Sequence, residues 1–163
     1  MLKQQIQSDA TVALKSGNSE VVGVLRLISS SLNTKEKEKR YNLLKEKPDL
    51  KEEIAKESEL TDEEAVSVLS SEVKKRRDAI ALYEKGGRPE LAEKVKKEIE
   101  ITQKYLPEQL PSAELEKMIK EAIEKTGAKE MKDMGKVMAE LAPKVKGRAD
   151  NSEVSKMVKE ILK

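Results

Sequence analysis

The 163-residue sequence predicts an all-α, multihelical protein of about seven helices. Three observations carry that reading. Aliphatic residues recur at helical spacing over most of the chain, no segment alternates apolar and polar with the period of two that marks a strand, and helix start and stop signals fall between the periodic stretches. The core materials agree: there is no Phe or Trp and only Tyr41, Tyr83 and Tyr105, which leaves Leu, Ile, Val, Met and Ala to pack helix on helix.

Leu2 to Lys15 has helical periodicity in Leu2, Ile6, Ala10, Ala13 and Leu14, and stops at Ser16-Gly17-Asn18-Ser19, where glycine serves the exit and Asn18 or Ser19 the next N-cap. Val21, Val24, Leu25, Ile28 and Leu32 give the second helix one core face, and its charged continuation runs to about Glu46, before Pro48. Thr61-Asp62-Glu63-Glu64 is a capping box opening a long helix with the stripe Val66, Leu69, Val73, Ile80 and Tyr83, stopped by Gly86-Gly87. Pro89 stands at the first position of the next helix, whose core face is Leu91, Val95, Ile99 and Leu106.

Pro107 and Pro111 disfavour helix at the residues before them, which marks a junction. The expected organisation is an N-terminal helical bundle over 1–106, a proline-containing linker over 107–111, and a three-helix C-terminal module over 112–163. In that module Ser112 is expected to cap a helix with Leu115, Met118, Ile119, Ala122 and Ile123 on one face, ended by Gly127. Met131, Met134, Val137, Met138 and Leu141 form the next face, and Val154, Met157, Val158, Ile161 and Leu162 the last.

Charge narrows the function classes. Lys plus Arg (33) nearly balances Asp plus Glu (31), so no global field draws the chain to nucleic acid. The last 21 residues nevertheless carry a balance of +3, from Lys144, Lys146, Arg148, Lys156, Lys159 and Lys163 against three acids. There is no Cys, hence no disulfide and no thiolate zinc site, and no apolar run approaches the roughly 18 residues that would span a bilayer. The expectation is a cytoplasmic protein with no membrane contact.

Catalysis by this chain alone is not expected. With neither His nor Cys the common nucleophile–base arrangements are absent, and Ser29-Ser30-Ser31 point about 100° apart on a helix. Glu63 and Glu64 belong to a first helical turn, where acids complement the helix dipole, so no metal or other cofactor is expected. Lys74-Lys75-Arg76-Arg77 falls mid-helix and fans around most of a turn, which reads as a solvated face.

The stretch Pro143-Lys144-Val145-Lys146-Gly147-Arg148 differs in kind, since Pro143 and Gly147 are expected to take it out of regular helix. Asp150 and Glu153 have N-cap and N3 spacing, so carboxylates occupy the following helix N-terminus. Two readings stay open: a turn followed by a capping box, or a phosphate grip built from Lys144, Lys146, Arg148 and the loop backbone. Met131, Met134 and Met138 suggest a further use, docking of a protein partner, against the simpler role of core packing.

Asp133-Met134-Gly135-Lys136-Val137-Met138, followed by Pro143 to Asp150 and an amphipathic terminal helix, resembles the GatB/YqeY family. Tyr105-Leu106-Pro107-Glu108-Gln109-Leu110, Gly87-Arg88-Pro89-Glu90-Leu91-Ala92 and Val24-Leu25-Arg26-Leu27-Ile28 are similar to its stand-alone YqeY-like members, so the likeness covers nearly the whole chain. The C-terminal pattern looks like the helical tail of the B subunit of the tRNA-dependent Asp/Glu amidotransferase. The resemblance implies a tail that holds tRNA or another structured RNA, in company with an amidotransferase or aminoacyl-tRNA synthetase. It also implies RNA-facing positions Lys144, Lys146, Gly147 and Arg148, with Lys136 beside them. As a second alternative the resemblance implies a family-level carbon–nitrogen ligase activity with glutamine as amide donor, which in the larger enzyme belongs to other domains and subunits. The charged stretch 41–59 is longer than in compact relatives.

Overall fold

The computed structural model describes residues 1–49 and 51–162, so Lys163 lies outside the described residues. Among these the chain forms eight α-helices: α1 Leu2–Lys15, α2 Ser19–Glu46, α3 Lys51–Glu57, α4 Asp62–Lys85, α5 Pro89–Gln103, α6 Ser112–Thr126, α7 Met134–Val145 and α8 Asn151–Ile161. A 3-10 turn covers Met131–Asp133, and the described residues contain no strand. The helix beyond the expected seven is α3, inside the charged 41–59 stretch; Ile54, fully buried, anchors it. The chain divides into two compact units, Met1–Tyr105 and Leu106–Lys163, and the second contains the 107–111 segment expected as a linker.

In the first unit, α1 with α2 and α4 with α5 are helical hairpins closed by the same chemistry. Gly17 (φ 73°) and Gly87 (φ 68°) are left-handed, and Asn18 N–H and Arg88 N–H reach back to the carbonyls of Ala13 (3.0 Å) and Tyr83 (2.9 Å). Asn18 caps α2 by accepting from Val21 N (3.2 Å). The Thr61 box is complete: its Oγ accepts from Glu64 N (3.2 Å) and Glu64 accepts from Thr61 N (2.8 Å). The core is aliphatic, with Ile6, Leu25, Ile28, Leu32, Ile54 and Leu69 fully enclosed.

Several expected faces shift, and Leu14 of α1 and Ile161 of α8, expected on core faces, are exposed. At the start of α2, Val22 and not Val21 is buried. On α4 the buried residues are Ala65, Leu69, Val73 and Arg76, while Val66, Ile80 and Tyr83 are half-buried. On α5 they are Ala92, Ile99 and Thr102, with Leu91 and Val95 half-buried. The cause is common to the last two: from 77 to 98 only Ala92 is buried, so this end of the hairpin packs mainly against itself.

Arg76 departs furthest from the expected solvated face. Its guanidinium donates to Glu72 Oε2 (2.9 Å) and the Glu72 carbonyl (3.2 Å) on α4, and to Glu98 Oε2 (3.1 Å) on α5. Burial pushes the Glu72 carboxyl up, but hydrogen bonds from Lys75 and Arg76 outweigh it and leave it below its ordinary value. Of the basic quartet, only Arg76 turns inward; Lys74, Lys75 and Arg77 stay exposed.

Two further corrections concern the second unit. The N-cap of α6 is Pro111, whose carbonyl accepts from Leu115 N (2.9 Å), and Ser112 is the first helical residue without a capping side chain. Pro143 does not end α7 but sits inside its last turn, and the helix runs on to Val145. Val137, Leu141 and Val145 form one enclosed stripe with Leu115, Ile119, Val154 and Val158. Burying Val145 is worth about 1.5–3 kcal/mol, enough to offset much of the proline penalty, because Ala139, whose carbonyl loses its donor, is exposed to water.

Replacing Arg76 with Ala strands two largely buried carboxylates. It is expected to destabilise the protein by about 2–4 kcal/mol in urea unfolding followed by circular dichroism, whereas Arg77→Ala changes stability by less than about 0.5 kcal/mol.

Candidate functional site

Val145 to Arg148 form a type II turn. Lys146 has φ −58° and ψ 116°, Gly147 has φ 75°, and Arg148 N–H closes the turn on the Val145 carbonyl at 2.9 Å. The third position of that turn requires positive φ, and the glycine is there for that reason. Ala149 N–H also donates to the Val145 carbonyl (3.0 Å), and Asp150 caps α8 by accepting from Ser152 N (2.7 Å). The last helix thus begins on a carboxylate, as its spacing implied.

The turn is clamped by a distant segment. Leu110 N–H donates to the Arg148 carbonyl (2.8 Å), Gln109 Nε2 to the Gly147 carbonyl (2.7 Å), and Arg148 Nε to the Glu108 carbonyl (3.2 Å). Gly147 itself is buried. The N–H groups of Arg148 and Ala149 and the carbonyl of Gly147 are therefore committed inside the turn, and an anion here would meet side chains, not those backbone donors.

Of the residues singled out in the sequence, the turn brings together Lys144, Lys146, Gly147 and Arg148. Lys144 and Lys146 are exposed and Arg148 is half-buried. Lys136 lies two turns back along α7, roughly 12 Å along its axis, and pairs with Asp133 (3.0 Å). Lys144 is not an isolated cation: Glu140 Oε1 accepts from both Lys144 (2.9 Å) and Lys125 (2.7 Å). Hydrogen bonds from Lys125 and then Lys144 hold the Glu140 carboxyl at about 2, against an ordinary 4.5. The Lys136 hydrogen bond, then the Lys129 N–H, lowers Asp133 in the same way.

Sequence reasoning missed Glu108, Gln109, Leu110 and Lys125. None carries a local signal, because each acts across 15 to 40 residues of chain.

The first unit offers less. A groove of about 630 Å³ between α2 and α4 is lined by hydroxyls, among them Ser31, Thr34, Ser67 and Ser71, and its charged groups pair with one another, Lys39 with Glu64 and Lys75 with Glu72. Ser29 Oγ donates to the Leu25 carbonyl (2.8 Å) within its own helix. Among the described residues no three of His, Cys, Asp or Glu converge as metal ligands, and no helix is long and apolar enough to cross a membrane.

These features define a class: an aliphatic all-helical chain of two units, the smaller presenting a clamped basic turn. The family model described as Yqey-like protein matches residues 3–162, and the chain belongs to that family. A search of curated proteins finds no match.

Two outcomes follow from the site. Gly147→Ala should cost about 1–2 kcal/mol in urea unfolding, and Gly147→Asn less, since Asn adopts left-handed backbone more readily. Because its folded value is depressed, Glu140 contributes stability that is complete above about 4.5 and lost as pH falls towards about 2. Glu140→Gln should therefore flatten the acid limb of the unfolding curve in that window, while lowering stability at neutral pH.

Proposed function

We propose that this chain is a helical module that binds tRNA or another structured RNA through the clamped turn and supports an amidotransferase or aminoacyl-tRNA synthetase whose chemistry resides elsewhere. One observation carries the reading: a type II turn tied by three long-range hydrogen bonds presents Lys144, Lys146 and Arg148 from adjacent positions on a rigid support. Preordering reduces the side-chain and loop entropy lost on binding, and lysine and arginine contacts to phosphate release counterions. Membership of the Yqey-like family supports the reading, together with the likeness of the C-terminal pattern to the amidotransferase B-subunit tail.

In this account Gly147 shapes the turn and does not touch RNA. Lys136, paired with Asp133, is a peripheral contact. A docking role for the methionines has less behind it, because Met134 and Met138 pack against the core of the second unit and only Met131 is exposed.

In a titration of tRNA the turn should contribute about 2 to 3 to the slope of log Kd against log salt, a roughly 15- to 60-fold loss between 50 and 200 mM. The Lys144→Ala, Lys146→Ala, Arg148→Ala triple variant should lose most of that slope while retaining its circular dichroism. Glu140→Gln, which removes a carboxylate beside Lys144, should tighten binding by about threefold. Unchanged affinity in the triple variant sinks the proposal.

A further inference from the structure

The most basic stretch of the chain is not its C-terminal tail. Residues 74–97 hold nine lysines and arginines against four acids, a balance of +5, so the other 139 residues together carry −3. This stretch runs from the tie that Arg76 makes to Glu72 and Glu98 to the distal end of the α4–α5 hairpin; beyond the tie, residues 77–97 hold six cations against four acids, a balance of +2. From that tie outward only Ala92 is buried, so the hairpin end presents most of its circumference to solvent. Arg77, Lys85, Arg88 and Lys94 are all exposed and make no ion pair among the described residues. Lys96, by contrast, is held by Glu84 (3.2 Å) and Glu93 (2.8 Å).

We propose that this hairpin end is a second, separate surface for the phosphate backbone of RNA. It shares with the reading above only the class of ligand and stands on other residues in the other unit. The anatomy of the surface selects the partner. A protein interface needs a desolvated apolar centre inside a polar rim. Here Leu82, 70% exposed, is the sole large apolar side chain fully open to solvent between 74 and 97, and Ile80, Tyr83, Leu91 and Val95 are half-covered. A second copy of the chain would bring +2 against +2. Exposed cations distributed over a hairpin that lacks a desolvated apolar centre match what sequence-independent phosphate contact requires, since each gains from counterion release independently of base identity. Lys85 and Arg88 flank the left-handed Gly87 turn, and Arg77 and Lys94 lie on the two helices behind it, so the charge is spread along the hairpin and not focused on one phosphate.

The test uses the full chain and two probes, unfractionated tRNA and a short RNA duplex of arbitrary sequence. Changing Arg77, Lys85, Arg88 and Lys94 to alanine should weaken binding to both probes by at least about tenfold and reduce the salt slope by about 2 to 3, with thermal melting unchanged. A charge-preserving set, Arg77→Lys, Lys85→Arg, Arg88→Lys and Lys94→Arg, should restore both. Wild-type affinity and slope in a folded alanine variant overturn the proposal. So does displacement of the RNA by poly-L-glutamate at equal charge concentration, which assigns the surface to an acidic protein. The C-terminal triple variant, titrated in parallel, separates the two ideas. Loss confined to that variant removes the hairpin, loss confined to the hairpin variant removes the turn, and no binding by the wild type removes both.

Discussion

The second unit depends on a clamp between two segments 38 residues apart. Leu110, Gln109 and Arg148 supply three hydrogen bonds that hold the extended 108–110 segment against the turn at 145–148. The clamp explains why α6 begins on Pro111: the chain arrives extended, with Leu110 buried in the core, and turns into helix only after its backbone is paired. It also explains how α7 carries Pro143 to Val145, because Val145 closes the hydrophobic stripe and accepts both N–H groups of the turn. A short segment with two prolines thus serves as one wall of the candidate site. Without it, Lys146 and Arg148 would hang from a loop ordered only by its own hydrogen bonds, beside Lys144 on the last turn of α7.

Arg76, the buried cation among the described residues, is matched by acids, and exposed cations are divided between ion pairs, as Lys144 and Lys125 with Glu140, and solvent. Arg76 takes two carboxylates where α4 meets α5, and Glu140 takes two lysines on one oxygen. The Glu140 arrangement matters for function because it reduces the positive charge next to the turn. On the proposed reading, a phosphate bound there would require Lys144 to exchange or share its carboxylate, which predicts a modest affinity that depends strongly on salt.

Much of the fold was legible because helix ends are local. Asn18, the Thr61 box, Pro89 at the first helical position and Gly127 with φ 63° each act within four residues, and each was read from sequence. The misses lie where packing overrides local preference. Pro143 yields to the Val137–Leu141–Val145 stripe, Ser112 yields to an extended approach, and α3 forms in a charged stretch around the buried Ile54. Arg76 looked like one member of a solvated basic run because its partner Glu98 lies 22 residues away on another helix. The candidate site divides in the same way: Gly147 and the neighbouring cations were read as site residues, while Glu108, Gln109 and Leu110 stood in a family motif with no role assigned at the turn. A hydrogen bond to a backbone carbonyl 38 residues away leaves no periodic trace in the chain.

The central claim is that the clamped turn is where this protein meets RNA. It is tested most directly by recording backbone amide resonances of the ¹⁵N-labelled full chain during titration with tRNA at low salt. The account predicts that amides of Lys144 to Ala149 and of Glu108 to Leu110 shift or broaden together, since the clamp makes them one unit. If those resonances stay in place while the rest of the spectrum responds, or if no resonance moves, the account is contradicted.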